Sequence, residues 1–256
     1  MVINPGKNKS SCPHFVKNFR GLPACSLFRS VTCFEQVGSN KFKSNQPRLI
    51  AIEGPIGVGK TTLTRFLAER LKARVIYEEV EENPFLQQFY SDPRRTAFQT
   101  QMFFLLSRYQ QQLELKQEDL FQRTTICDYV FQKDRIFACV NLTEPELALY
   151  DRIYRLLDLR VPTPDLVVYL QARPEILLNR LKTRNRAWER PIKQAYLERV
   201  VTAYNDYFFH YKKSPLLVVN TSEIDIVENE GHLESVLSEI RRMRKGTQHF
   251  NPAPGK

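Results

Sequence analysis

From Arg48 onward, short unbroken apolar runs alternate with stretches whose apolar residues recur at helical spacing. Leu49-Ile50-Ala51-Ile52 is the first run. It enters a glycine-rich turn, and Thr61–Lys72 follows with Leu63, Phe66, Leu67 and Leu71 on one helical face. Val75-Ile76-Tyr77 is a second predicted strand, ending at Glu78-Glu79. A long helix is predicted from about Pro93 to Leu115, a third strand over Thr125–Asp128, and helices over much of Val130–Leu157. Asp165–Leu170 reads as a fourth strand leading into a helix from Glu175 to about Arg184. Another helix runs through Tyr211, Leu216–Val219 makes a fifth strand, and His232–Arg244 a closing helix. Continuous apolar strands between helices are buried on both faces, as in a parallel sheet with crossover helices. The expected architecture is α/β: a three-layer sandwich with a five-stranded parallel sheet and helices on both faces.

Composition limits this picture without changing it. In 256 residues, 42 % are hydrophobic and 26 % charged, enough for one well-cored domain. That domain is assigned to residues 47–246. Residues 1–46 lack periodic apolar spacing and are read as a disordered or unused N-terminal extension, with organelle import as a minor alternative. Residues 247–256 are read as a frayed C-terminal tail. The formal charge is +10, but residues 1–48 hold eight Lys or Arg against a single acid, Glu35. Seven of the ten net charges therefore sit in these first 48 residues, and no basic stripe is left to argue for a nucleic-acid partner. No run approaches the roughly 18 apolar residues of a membrane span. The five cysteines form no C-x-x-C pair; Cys127 and Cys139 look like small core residues, and free thiols fit a cytoplasmic location.

The turn after the first strand carries the chemistry. Gly54-Pro55-Ile56-Gly57-Val58-Gly59-Lys60-Thr61 matches G-x-x-x-x-G-K-[ST] at every fixed position, between a predicted strand and a predicted helix. Glycines let backbone N–H groups converge on phosphate oxygens, Lys60 is suited to the β- and γ-phosphates, and the Thr61 hydroxyl to Mg²⁺. With Thr62 the segment forms the expected phosphate cradle, which makes the sandwich P-loop NTPase-type. No T/N-K-x-D guanine-reading motif follows. Instead, Leu181–Arg190 packs Lys182, Arg184, Arg186 and Arg190 between two helices, an Arg-rich lid suited to neutralising a transferring phosphoryl group.

Acids end two of the strands, at the edge where open α/β sheets bind ligands. Glu78 is placed to take a proton from an attacked hydroxyl, although Glu79, Glu81 and Glu82 lie too close for spacing to choose among them. Asp128 is suited to a Mg²⁺ shell.

Together these segments resemble the deoxynucleoside kinases, especially the bacterial deoxyadenosine and deoxyguanosine kinases. The resemblance covers about Arg48 to Arg244, through Ile52–Thr62, Glu78–Leu86, Phe98–Phe104 with Leu106-Ser107-Arg108, Asp128-Tyr129, Asp134–Ala138 and the lid. It implies ATP-dependent phosphorylation of deoxyadenosine, deoxyguanosine or deoxycytidine at the 5′-hydroxyl, with Mg²⁺ and ATP. It implies Glu78 as base and Asp128 near the metal. Gln101, Arg108 and Asp134 would read the nucleobase edge, Tyr90 and Glu189 hold the sugar 3′-hydroxyl, and Arg184 and Arg186 act with Lys60 on the phosphates. The resemblance also implies a homodimer. One departure stands out: the family's Arg after the motif acid is Tyr129 here, which removes a fixed positive charge. Two other functions share this fold. A nucleoside monophosphate kinase would need a further cationic site, for which Arg94-Arg95 is the candidate, and a non-catalytic assembly protein would need neither Lys60 nor Glu78.

Overall fold

The computed structural model describes residues 15–17, 23–25, 47–118, 124–224 and 229–252. Two short strands, β1 (Phe15–Lys17) and β2 (Pro23–Cys25), pair antiparallel. The disorder expected of the N-terminal extension otherwise lies outside the described residues.

The remaining strands are β3 (Leu49–Glu53), β4 (Arg74–Ile76), β5 (Thr125–Cys127), β6 (Leu166–Gln171), β7 (Leu216–Asn220) and β8 (Thr247–Phe250). They form one parallel sheet in the order β4-β5-β3-β6-β7-β8. Along β6 and β7 alternate side chains enter two different cores. Ile50, Ile52, Val168, Leu170, Leu217 and Val219 pack on one face, with Leu63 and Leu67 of α1 (Lys60–Leu71) and Leu237 of α8 (Glu230–Arg242). Ala51, Val167, Tyr169 and Val218 pack on the other, against Val200, Tyr204 and Phe208 of α7 (Gln194–Phe209). Apolar residues on both faces explain why these strands read as unbroken runs.

The sheet has six strands rather than the expected five, and Thr247–Phe250 belongs to it instead of to a frayed tail. β8 pairs in register with β7, Leu216 opposite Thr247 and Val219 opposite Phe250. As an edge strand it buries little, so Thr-Gln-His-Phe carries only a weak apolar signal; Phe250 alone leans on the core.

Between β4 and β5 come α2 (Leu86–Ser91) and the long α3 (Pro93–Glu118). The stretch after β5 divides into α4 (Lys133–Asn141) and α5 (Glu144–Asp158). Thr143 makes the break: with Glu146 it forms a capping box, Glu146 accepting from the Thr143 backbone N–H at 2.9 Å. Cys139 faces outward on α4, not into the core as expected, while Cys127 is buried; both are free thiols. After β6, α6 (Pro174–Arg184) ends at Asn185, in the left-handed conformation, and a single 3₁₀ turn at Ala187–Glu189 follows. Among the described residues no helix is long and apolar enough to cross a membrane.

Chain order and strand order diverge around β3: the chain leaves it for β4, returns through β5 beside it, then crosses to β6 on its other side. That switch point opens a crevice at the carboxyl ends of the strands. Core burial predicts a graded stability response. Leu237→Ala, at a position 1 % exposed, should cost about 3 kcal/mol, whereas Leu156→Ala, 69 % exposed, should stay within about 0.5 kcal/mol, both read from urea unfolding midpoints.

Candidate active site

The crevice is a cavity of about 510 Å³, lined in part by Gly57, Lys60, Thr61, Glu78, Asp128 and Lys133. Its floor is the glycine turn. Gly54 has φ 153°, and a Cβ there would lie 2.5 Å from the Leu170 carbonyl oxygen, so only glycine lets the loop pass the end of β6. Gly59, at φ 103°, caps α1, which aims its first N–H groups into the turn. Lys60 folds back over the loop, donating to the carbonyls of Gly54 at 2.8 Å and Pro55 at 3.2 Å. Burial and the nearby Lys133 ammonium lower its pKa to about 8.

Glu78 and Asp128 leave adjacent strands and meet at the mouth of the loop. The Glu78 backbone N–H donates to Asp128 Oδ1 at 2.7 Å, and the Thr61 hydroxyl donates to Asp128 Oδ2 at 3.2 Å. The Glu78 side chain, 10 % exposed, accepts from Arg108 on one oxygen and Lys133 on the other. Burial raises the basicity of this carboxylate, but Arg108, Lys133 and Lys60 together bring it well below the usual range. Glu79, Glu81 and Glu82 also border the cavity but are exposed, whereas Glu78 is held by two cations. Burial and the Glu78 charge push Asp128 upward, the condition of a carboxylate that gains from a cation. With Thr61 it offers hard oxygen donors that suit Mg²⁺. Among the described residues no cluster of three or more acidic, His or Cys side chains forms a metal cage, and an ion here would share its shell with phosphate oxygens.

The wall is α3. Gln101 and Arg108 line the cavity on one face of the helix, with Thr100 and Phe104 beside them. Asp134 sits behind Arg108 rather than on the lining, almost fully buried and accepting from its guanidinium. Burial raises Asp134 to about 6 against the pull of Arg108. Gln101 Oε1, Arg108 Nε and Asp134 Oδ2 are buried without partners, a costly arrangement unless a ligand edge supplies them. Opposite, Tyr90 stacks on Trp188 with centroids 5.8 Å apart. Buried Glu189 accepts from Arg184 Nε at 3.1 Å. Arg184 and Arg186 line the cavity, the latter over the Trp188 ring at 5.7 Å; Arg190 is bonded instead to Asn185. Arg94 and Arg95 are exposed and contribute nothing to the lining.

Two residues that the sequence reading missed complete the site. Glu53 is fully buried at the end of β3 and accepts from the N–H groups of Gly54 and Val130, both at 2.8 Å, and from the Tyr204 hydroxyl at 3.0 Å. It ties the glycine turn to the loop after Asp128. Lys133 opens α4, where the positive helix end disfavours a lysine; that local conflict was the available signal.

The family model of the deoxynucleoside kinases matches residues 50–244. Deoxyguanosine kinase of Bacillus subtilis (strain 168) is 34 % identical over 205 residues, 78 % of this chain and 99 % of that protein. Deoxyadenosine kinase of Dictyostelium discoideum is 34 % identical over 222 residues, covering 84 % and 88 %. Among solved structures, deoxyadenosine kinase from M. mycoides with products dCMP and a flexible dCDP bound superposes with a TM-score of 0.67 at 27 % identity. That match covers 76 % of this chain and 99 % of the other. The same enzyme with bound dATP gives 0.65 at 27 % identity, covering 75 % and 98 %.

The lowered pKa of Lys60 sets a pH signature for phosphate binding. Below about 8 the amine is charged before a triphosphate arrives; above it, binding must take up a proton. Affinity for a fluorescent ATP analogue should therefore be level below pH 8 and fall up to about tenfold per pH unit above it. Lys60→Arg, which keeps its charge, should flatten that fall in the same titration.

Proposed function

The chain belongs to the deoxynucleoside kinase family, and from that premise we propose that it moves the γ-phosphoryl group of ATP to the 5′-hydroxyl of deoxyadenosine, deoxyguanosine or deoxycytidine in nucleotide salvage. One observation carries the choice of acceptor: Gln101 and Arg108, each with a buried unpaired polar atom, face the same cavity as Lys60, with Glu78 alongside. An amide and a guanidinium match the donors and acceptors of a purine or cytosine edge. Asp134 orients the guanidinium from behind, and the aromatic surfaces of Phe104 and Phe137 supply the apolar lining. In this reading Tyr90 and Glu189 receive the sugar.

The reaction follows from the arrangement. The 5′-oxygen attacks the γ-phosphorus, its bond to the β-bridging oxygen breaks, and Glu78 accepts the hydroxyl proton. Such transfers depend on positioning and charge neutralisation more than on a strong base. The glycine turn from Gly54 to Thr62 cradles the phosphates and Lys60 leaves the loop carbonyls for phosphate oxygens, while Arg184 and Arg186 neutralise charge from above. Thr61 and Asp128 would hold Mg²⁺, which when bound offsets charge on the β- and γ-phosphates. The monophosphate-kinase alternative loses its support, since Arg94 and Arg95 lie off the cavity. The assembly-protein alternative is disfavoured by the intact Lys60 and Glu78.

We further read the protein as a cytoplasmic homodimer without a nucleic-acid partner. Free thiols at Cys127 and Cys139 support the compartment, and exposed Leu106, Leu149 and Leu156 on α3 and α5 support a self-association surface.

A coupled assay with ATP, Mg²⁺ and each deoxynucleoside or its monophosphate tests the acceptor. Turnover is expected with deoxyadenosine, deoxyguanosine or deoxycytidine and not with the monophosphates. Lys60→Ala and Glu78→Gln should each lower kcat/KM by about 10³-fold with unchanged circular dichroism. Retained turnover in Glu78→Gln rejects the base assignment. Gln101→Ala should raise the deoxynucleoside KM about tenfold and leave that for ATP alone.

A further inference from the structure

Lys133 sits where elementary electrostatics argues against a cation. It is the first residue of α4, beside the positive end of the helix, and is only 6 % exposed. It lines the cavity that also holds Lys60, and the two ammonium groups repel. What holds it there is Glu78, whose Oε2 accepts from Nζ; the Phe137 ring one helical turn on lies 5.9 Å from the same nitrogen.

Arg108 pairs with the other oxygen of Glu78, but its task is divided. It is also bonded to Asp134 and stands on the α3 wall that faces the acceptor. Among the described residues Lys133 forms its one ion pair with Glu78, while the charge of buried Glu53 also attracts it. Tyr129 does not supply charge to the cavity: its hydroxyl donates to Gln111 Oε1 at 2.8 Å, its ring lies under the Arg108 guanidinium, and it is absent from the lining.

We propose that Lys133 is the positioning cation of the transfer step, its ammonium fixing the Glu78 carboxylate against the acceptor hydroxyl. This rests on the kinase reading above. Lys133 acts through Glu78: an ammonium is a compact charge that needs no particular plane and holds the carboxylate while Arg108 turns to the nucleobase.

The full-length chain tests it in steady-state assays with ATP, Mg²⁺ and its best deoxynucleoside. Lys133→Met, which keeps length and removes charge, should lower kcat about 100-fold while both KM values stay within about threefold. Lys133→Arg should recover kcat to within about tenfold of the parent. Added to Glu78→Gln, Lys133→Met should cost no more than about threefold further, because its target is already gone. The double variant also removes both buried charges together, so it gives an answer even where Lys133→Met alone fails to fold. Lys133→Met with kcat within about threefold of the parent overturns the proposal. So does a further 100-fold loss in the Glu78→Gln background, or a Lys133→Arg enzyme no faster than Lys133→Met. A parent chain that turns over no deoxynucleoside refutes the kinase reading itself, a result separate from all of these.

Discussion

A carboxylate buried at the carboxyl edge of the sheet can stay ionised only if cations are built around it, and Glu78 dictates much of the site in that way. Removing a charge of this kind from water costs several kcal/mol unless its partners are close and well placed. Arg108 and Lys133 meet that demand from two helices, α3 and α4, which the chain delivers on either side of β5. Asp128 adds to the demand and ties the ends of two strands by accepting the Glu78 N–H. Breaking one partner would leave the other charges uncompensated, so the cluster behaves as a unit and not as separate pairs.

A second buried acid performs the matching task for the glycine turn. Glu53 receives the Gly54 and Val130 N–H groups and the Tyr204 hydroxyl, and so joins β3, the loop after β5, and α7 at one point. Burial raises its pKa, against the pull of Lys133 and Lys60. The two acids are held differently: Glu53 has backbone donors that fix a loop, whereas Glu78 has side-chain cations at the cavity.

The legible part of this molecule was what short-range pattern controls. The central strands were visible because they are apolar on both faces, β4 because Val75-Ile76-Tyr77 is a short apolar run, and the glycine turn because its spacing is fixed by phosphate geometry. β8 was not, since an edge strand such as Thr-Gln-His-Phe needs little apolar content to pair. The split between α4 and α5 was written as Thr143-x-x-Glu146, a capping signal that apolar periodicity ignores. What sets Glu78 apart from Glu79, Glu81 and Glu82 was beyond reach, because its partners Arg108 and Lys133 lie 30 and 55 residues away. Lys133 itself gave one faint sign, a lysine at a helix start. Cys139 failed for the opposite reason: apolar neighbours in sequence do not say which face of a helix a residue takes.

The cations that make Glu78 possible also weaken it as a base, and the proposed reaction tolerates this. A hydroxyl hardly needs a strong base when its proton leaves late, as the bond to phosphorus forms and the oxygen becomes acidic. A carboxylate held well below the usual range is always ionised near neutrality, so it can accept the hydroxyl hydrogen bond in every encounter. In the proposal above Lys133 keeps it aimed, and orientation of this kind contributes more than basicity would. Stronger basicity at Glu78 would require fewer cations around it. In the proposed reaction that would loosen the carboxylate that fixes the acceptor, and positioning is what such transfers depend on.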